Sequence, residues 1–151
     1  MAALLAGCGY RLAGTAELPA QLETIHLVTK NFSELQTRAL RRKLIDSGAQ
    51  VVEQAGANAA TLTVTLNAEP DRQLVSSASS GTTVNRLVRT LDYALSDASG
   101  EELLAPGTLR QQVDIELDDD NLLASNQERE AAVLQLEQGL YQQLVRQLTR
   151  I

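Results

Sequence analysis

Ala60-Thr61-Leu62-Thr63-Val64-Thr65-Leu66-Asn67-Ala68 alternates apolar and polar side chains without a break. Successive side chains of a strand point to opposite faces. Leu62, Val64, Leu66 and Ala68 therefore share one face, and Thr61, Thr63, Thr65 and Asn67 share the other. Such a run predicts a half-buried strand. Pro70 interrupts it and marks an edge or a bulge, after which Leu74 and Val75 resume the pattern. Ser76-Ser77-Ala78-Ser79-Ser80-Gly81 reads as a polar hairpin tip. Thr83 to Leu95 is the returning strand, with Leu87, Leu91, Tyr93 and Leu95 in phase. Asp97-Ala98-Ser99-Gly100 makes a second turn, and Pro106-Gly107 a bend. In a last strand, Leu109, Val113, Ile115 and Leu117 alternate with Arg110, Gln112, Asp114 and Glu116. The middle of the chain is thus an antiparallel meander with one apolar and one polar face, the pattern expected when helices cover one side only.

Helical spacing flanks this meander. Upstream, the β-branched stretch Thr24 to Val28 predicts a strand, with His26 facing away from Ile25 and Leu27. Ser33 followed by Gln36 fits a capping box. Leu35, Ala39, Leu40 and Leu44 give the helix that follows an apolar face, and Gly48 is a suitable stop. Ala49 to Glu53 predicts a short strand. Downstream, Ser125-Asn126-Gln127-Glu128 reads as a second capping box. The final helix then carries Val133, Leu134, Leu140, Tyr141, Leu144, Val145, Leu148 and Ile151 as a core stripe. The expected fold is α+β, with two helices packed on one face of a mostly antiparallel four- to five-stranded sheet, a two-layer sandwich.

Composition narrows the function. The chain has 151 residues, one Phe, three Tyr, no Trp and a formal charge of −6. Few aromatics and a net negative charge argue against nucleic-acid binding, which calls for a basic footprint or stacking platforms. One cysteine, Cys8, and one histidine, His26, exclude a metal centre built from His and Cys. Asp118-Asp119-Asp120 lacks the spacing of a calcium loop and reads as a solvated acidic loop near a helix start. No Gly-x-Ser-x-Gly elbow or phosphate-binding glycine loop is present. Asp92, Asp97 and Glu101 could assemble as paired carboxylates, but loops of any acidic protein offer that. Arg38, Arg41, Arg42 and Lys43 read as a solvated helix face with cations near the negative helix end; the alternative is a docking or anionic-lipid patch. The expectation is a protein that is not an enzyme and needs no cofactor.

The first residues carry the sharpest motif. Residues 1–7 are uncharged, apolar or small, and resemble the end of a signal peptide. Leu5-Ala6-Gly7-Cys8 matches the bacterial lipobox, in which small residues admit the signal peptidase and the cysteine thiol receives diacylglycerol. Cys8 is the expected lipidation site, and Gly9 after it favours the outer membrane over retention at the inner one. Residues 8–22 would form a lipidated leader and residues 23–151 a single α+β domain, anchored to the membrane through its N-terminal lipid.

Cys8-Gly9-Tyr10-Arg11-Leu12 resembles the mature start of the LptE lipoproteins, and the order β-α-β-β-β-β-α after it resembles their layout. The resemblance implies a non-catalytic outer-membrane lipoprotein that partners and plugs the β-barrel protein LptD and assists lipopolysaccharide assembly. It also implies some lipopolysaccharide binding. In the family, basic residues near the central hairpin tip and before the last helix are credited with that contact. Here those places hold Ser79-Ser80 and Ser125-Asn126, so Arg86 and Arg129, the nearest cations, are the candidate phosphate contacts. The alternative is another periplasmic lipoprotein that binds a small ligand or serves an enzyme as accessory subunit. A deep apolar pocket would favour that alternative.

Overall fold

The computed structural model describes residues 17–77, 81–118 and 120–151. A 3-10 turn at Ala20–Leu22 leads into β1 (Thr24–Lys30), α1 (Glu34–Asp46), β2 (Gln50–Val52), β3 (Ala60–Ala68), β4 (Arg72–Ser77), β5 (Thr82–Ser96), β6 (Glu102–Asp118) and α2 (Leu122–Leu148). The strands form one sheet, and both helices pack on the same face of it. The α+β class is as expected, with six strands instead of four or five.

Register explains the difference. β5 pairs antiparallel with β6 along one edge. Along its other edge it pairs first with β4 and then with β3. β3 and β4 are therefore one lane cut in two, and Pro70 sits in the cut. Proline lacks the N–H that a continuous ladder needs. On the far side β3 pairs parallel with β1, and β1 pairs parallel with β2, with α1 as the crossover between those two strands. The sheet is mixed at one end and antiparallel over the rest.

The core is aliphatic. Leu22, Ile25, Leu40, Leu44, Leu62, Val64, Leu91, Leu140, Leu144 and Leu148 are fully buried in one cluster. A smaller cluster joins Leu87 and Ile115 of the long β5–β6 arm to Ala132 and Leu136 of α2. Each buried leucine adds about 2 kcal/mol of transfer free energy. Leu22 lies ahead of β1, so the core begins before the first strand.

Local chemistry accounts for most of the boundaries. The Ser33 side chain accepts from the Gln36 N–H, and the Gln36 side chain accepts from the Ser33 N–H. Gly48 follows the end of α1 at φ +96°, a conformation that suits glycine. Pro106 and Gly107 do not break the chain but lie inside β6, beside a register shift opposite Tyr93 and Leu95. β6 is an edge strand, where proline is tolerated. A Cβ at Gly107 would come within 2.6 Å of the Tyr93 hydroxyl, so only glycine admits that ring.

Three expectations are corrected. α2 starts at Leu122 with Asn121 as its cap, and Ser125 lies inside the helix. The Ser125 hydroxyl instead accepts from the Asp118 N–H and donates to the Asp118 carbonyl, closing the β6–α2 connection. Leu35 and Leu134 were expected in the core but are 75% and 54% exposed. Both line the open side between the two helices.

Candidate functional surfaces

The sheet face away from the helices is largely polar, with Val28 beside Thr63 and Val88 beside Gln112 as its apolar members. The register places Thr61, Thr63, Thr65 and Asn67 of β3 beside Ser96, Ala94, Asp92 and Thr90 of β5. Thr108, Arg110, Gln112 and Asp114 of β6 continue the same rows. These side chains bond to one another. The Asp92 carboxylate accepts from Asn67 Nδ2 at 2.9 Å and from Thr108 Oγ1 at 2.6 Å, tying three strands together. Arg110 donates to Glu69 and to Gln112. Arg86 donates twice to Asp114, at 2.7 and 2.8 Å. Those bonds hold the Asp114 carboxyl below its usual range and push Arg86 further up. The result is a surface rich in polar groups, several of them held in place by bonds to one another.

On the other side, α1 and α2 meet in an open groove of ≈ 340 Å³. Leu35 and Ala39 of α1 and Val133 and Leu134 of α2 form apolar walls, with Gln36, Glu137 and Tyr141 also lining it. Glu137 is only 6% exposed and accepts from Gln36 Nε2 at 2.7 Å. The Phe32 ring stacks on Tyr141 with centroids 6.2 Å apart. The Tyr141 hydroxyl is buried without a hydrogen-bond partner among the described residues.

Burial pushes the Glu137 carboxyl above its ordinary range, against the hydrogen bond from Gln36 and the charge of Arg89. A carboxyl raised on folding favours the native state at pH below its unfolded value. That contribution is lost as pH rises through the native value. Glu137→Gln keeps the acceptor for Gln36 and removes the charge. The variant is expected to melt a few degrees higher than the parent at neutral pH. The advantage should vanish below about pH 4, where the unfolded carboxyl also holds its proton. A gain that does not depend on pH in calorimetric scans would sink this account.

Cys8 lies outside the described residues, as does the Ser79-Ser80 tip. Arg86 and Arg129 do not converge. Arg86 sits on the open sheet face against Asp114. Arg129 is on α2 at the groove, paired with Asp71. Nor do the three carboxylates named above form a pair. Asp92 serves Asn67 and Thr108, while Asp97 Oδ1 caps its own turn through Ser99 and Glu101. Glu137 is the residue that the periodicity passes over. A carboxylate between Leu136 and Leu140, one turn before a stripe tyrosine, is the sign that could have marked it.

Among the described residues no helix is long and apolar enough to cross a membrane. The chain is 30% identical, over 98% of its length and 80% of the relative's, to the LPS-assembly lipoprotein LptE of Pectobacterium atrosepticum. In fold it is similar to the uncharacterized lipoprotein B of Nitrosomonas europaea, with a TM-score of 0.73 at 24% identity, covering 93% of this chain and 90% of that one. It is also similar to a minor lipoprotein of Acinetobacter baumannii, with a TM-score of 0.67 at 18% identity, covering 85% and 94%. Residues 22–148 match the profile of LptE, the lipopolysaccharide-assembly family, and the chain belongs to that family.

Proposed function

We propose that this protein is a non-catalytic lipoprotein of lipopolysaccharide assembly, anchored by a lipid on Cys8 to the outer membrane and seated in the lumen of an LptD-type β-barrel. Family membership supports the assembly role. The observation that carries the seating is the polar sheet face. The lumen of a wide transmembrane barrel is polar and wet. A plug must therefore meet it with polar groups whose mutual bonds survive removal of bulk water. The ties through Asp92 and between Arg86 and Asp114 provide such a surface. The small Thr61, Thr63, Thr65 and Ala94 side chains allow close approach to the strands.

The test is purification of the lipidated protein, through a C-terminal tag, from detergent-solubilised outer membranes of its source organism. Recovery of one large barrel protein at near-equimolar amount is expected. Recovery of a soluble periplasmic enzyme instead, or of nothing, would overturn the seating and leave the family assignment in place.

Lipopolysaccharide is the second ligand of this reading, with Arg86 and Arg129 as phosphate contacts at two separate places, one on the sheet face and one at the helix groove. Each is already matched to one carboxylate, so each would bind phosphate by exchanging that partner. Converting both to glutamine is expected to weaken binding of purified lipopolysaccharide by about tenfold, the loss of roughly one charge-assisted contact. Unchanged binding in a fluorescence displacement titration would remove both residues from the ligand site.

A further inference from the structure

The α1–α2 groove holds a combination that the sheet face does not use. α2 has 27 residues and α1 has 13. At 1.5 Å per residue, α2 outruns α1 by about 20 Å. The Gln36–Glu137 bond places the start of α1 near Glu137. The first turns of α2 therefore project past α1 as an uncovered shelf. Leu123, Leu134 and Tyr141 lie on one stripe of α2 at helical spacing. Tyr141 is covered, whereas Leu123 and Leu134 are 71% and 54% exposed, and Leu35 of α1 stands 75% exposed at the end of the shelf.

Apolar exposure alone would say little about what binds. The floor of the groove is more specific. The capping box fixes the Gln36 side chain, whose Oε1 accepts from the Ser33 N–H while its Nε2 donates to Glu137. Glu137 Oε1 is thereby engaged, and no donor among the described residues reaches Oε2. One turn on, the Tyr141 hydroxyl is 97% buried by residue and has no partner. Arg89 of β5 is the cation whose charge acts on Glu137, yet its guanidinium donates to the Val88 carbonyl and not to the carboxylate. Arg129 at the rim is matched to Asp71, and Glu130 and Glu137 have no ion-pair partner among the described residues. An open carboxylate oxygen of Glu137 and the buried, unpartnered hydroxyl of Tyr141, set among aliphatic walls, ask for a ligand with several N–H donors on an apolar stem.

We infer that the α1–α2 groove receives a lysine side chain from an apolar segment of a partner protein. Its ammonium would bond Glu137 Oε2 and the Tyr141 hydroxyl, and its methylene stem would lie between Leu35 and Leu134. An ammonium has three donors and a four-carbon stem, which suits a groove of ≈ 340 Å³. The residues flanking that lysine would cover Leu123 and Leu134. Lipid acyl chains offer nothing to the polar floor, and a phosphate there would face Glu137, whatever Arg129 binds at the rim. The groove is distinct from the sheet face, so its failure and that of the barrel-lumen reading are separable.

The test uses the whole chain labelled with 15N and two capped peptides, acetyl-Leu-Leu-Lys-Leu-amide and the same peptide with norleucine for lysine. The lysine peptide is expected to shift the Gln36, Leu134, Glu137 and Tyr141 amides. Its affinity should exceed that of the norleucine peptide by about tenfold or more, the effect of a buried charge-assisted bond. Glu137→Gln should abolish that preference while leaving the free spectrum folded, and Tyr141→Phe should reduce it. Equal binding of the two peptides, shifts confined to other surfaces, or no shift up to about 10 mM peptide would each overturn the inference. Hexylammonium binding as tightly as the lysine peptide would also overturn it, by assigning the groove to free amines.

Discussion

Leu140→Ala is expected to lower the unfolding free energy by about 3 kcal/mol, within the 2–5 kcal/mol range of buried leucine truncations. Leu140 is fully buried in the main cluster, alongside Leu40 and Leu44 of α1 and Leu62 and Leu91 of the sheet. It thus stands where both helices meet the strands. Part of the loss is the transfer free energy of the missing methylenes. The rest is the cavity, which the surrounding leucines cannot close without leaving their rotamers. In a domain of this size the melting temperature should fall by roughly 10 °C. Leu134→Ala, six residues away on the same helix, removes the same atoms from a half-exposed site and should cost under about 0.5 kcal/mol. Urea titration of both variants checks the contrast. Equal losses would mean that α2 presents a different stripe to the sheet.

The second large effect concerns association. Thr63→Arg places a long cation at the centre of the polar sheet face, next to Ala94 of β5. The side chain points away from the core, so the melting temperature should change little. Seated in a barrel, the same arginine would have to find room against the wall and leave water unpaired, a combination that interfaces reject strongly. Recovery of the barrel protein with the tagged chain is expected to drop by about tenfold or more, which corresponds to at least ~1.4 kcal/mol of lost association energy. Arg42→Glu on the exposed side of α1 serves as the control with a charge change elsewhere. Recovery that falls equally for both variants would point to a general charge effect. Recovery that survives Thr63→Arg would remove the sheet face from the contact.

Much of the fold was legible because its signals are local. The alternation of residues 60–68 and of β6 is a property of the strand itself, whatever lies on either side. The Ser33–Gln36 box and the glycine at 48 act within one helical turn. The paired β5 and β6 carried matching apolar phases, so their common buried face could be read from either strand. The motif from Cys8 to Leu12 pointed to the family that the match over residues 22–148 shows.

The misreadings arose where local signals were degenerate. Asn121 and Ser125 both offer a capping oxygen four residues apart. The choice fell to Asn121 because the Asp118 backbone, at the end of a strand pinned to β5, claims the Ser125 hydroxyl. Leu35 and Leu134 satisfy helical spacing as well as their buried neighbours do. Periodicity gives the direction of a stripe but not its width, and the width depends on how much of each helix another element covers. Pro106-Gly107 reads as a bend in isolation. It stays within β6 because the strand is an edge and because Tyr93 fills the space above the glycine.

Taken alone, then, the sequence determined most of the strand and helix types and the polarity of the two sheet faces, since each follows from residue identity or spacing. Tertiary structure decided that β1 lies parallel to β3, that Asp92 ties three strands together and that Glu137 is buried beside an unpartnered tyrosine hydroxyl. Each of these depends on residues distant in the chain being brought within a few ångströms of one another. That proximity follows from which surfaces bury the most apolar area together, a property of the whole chain that no single segment carries.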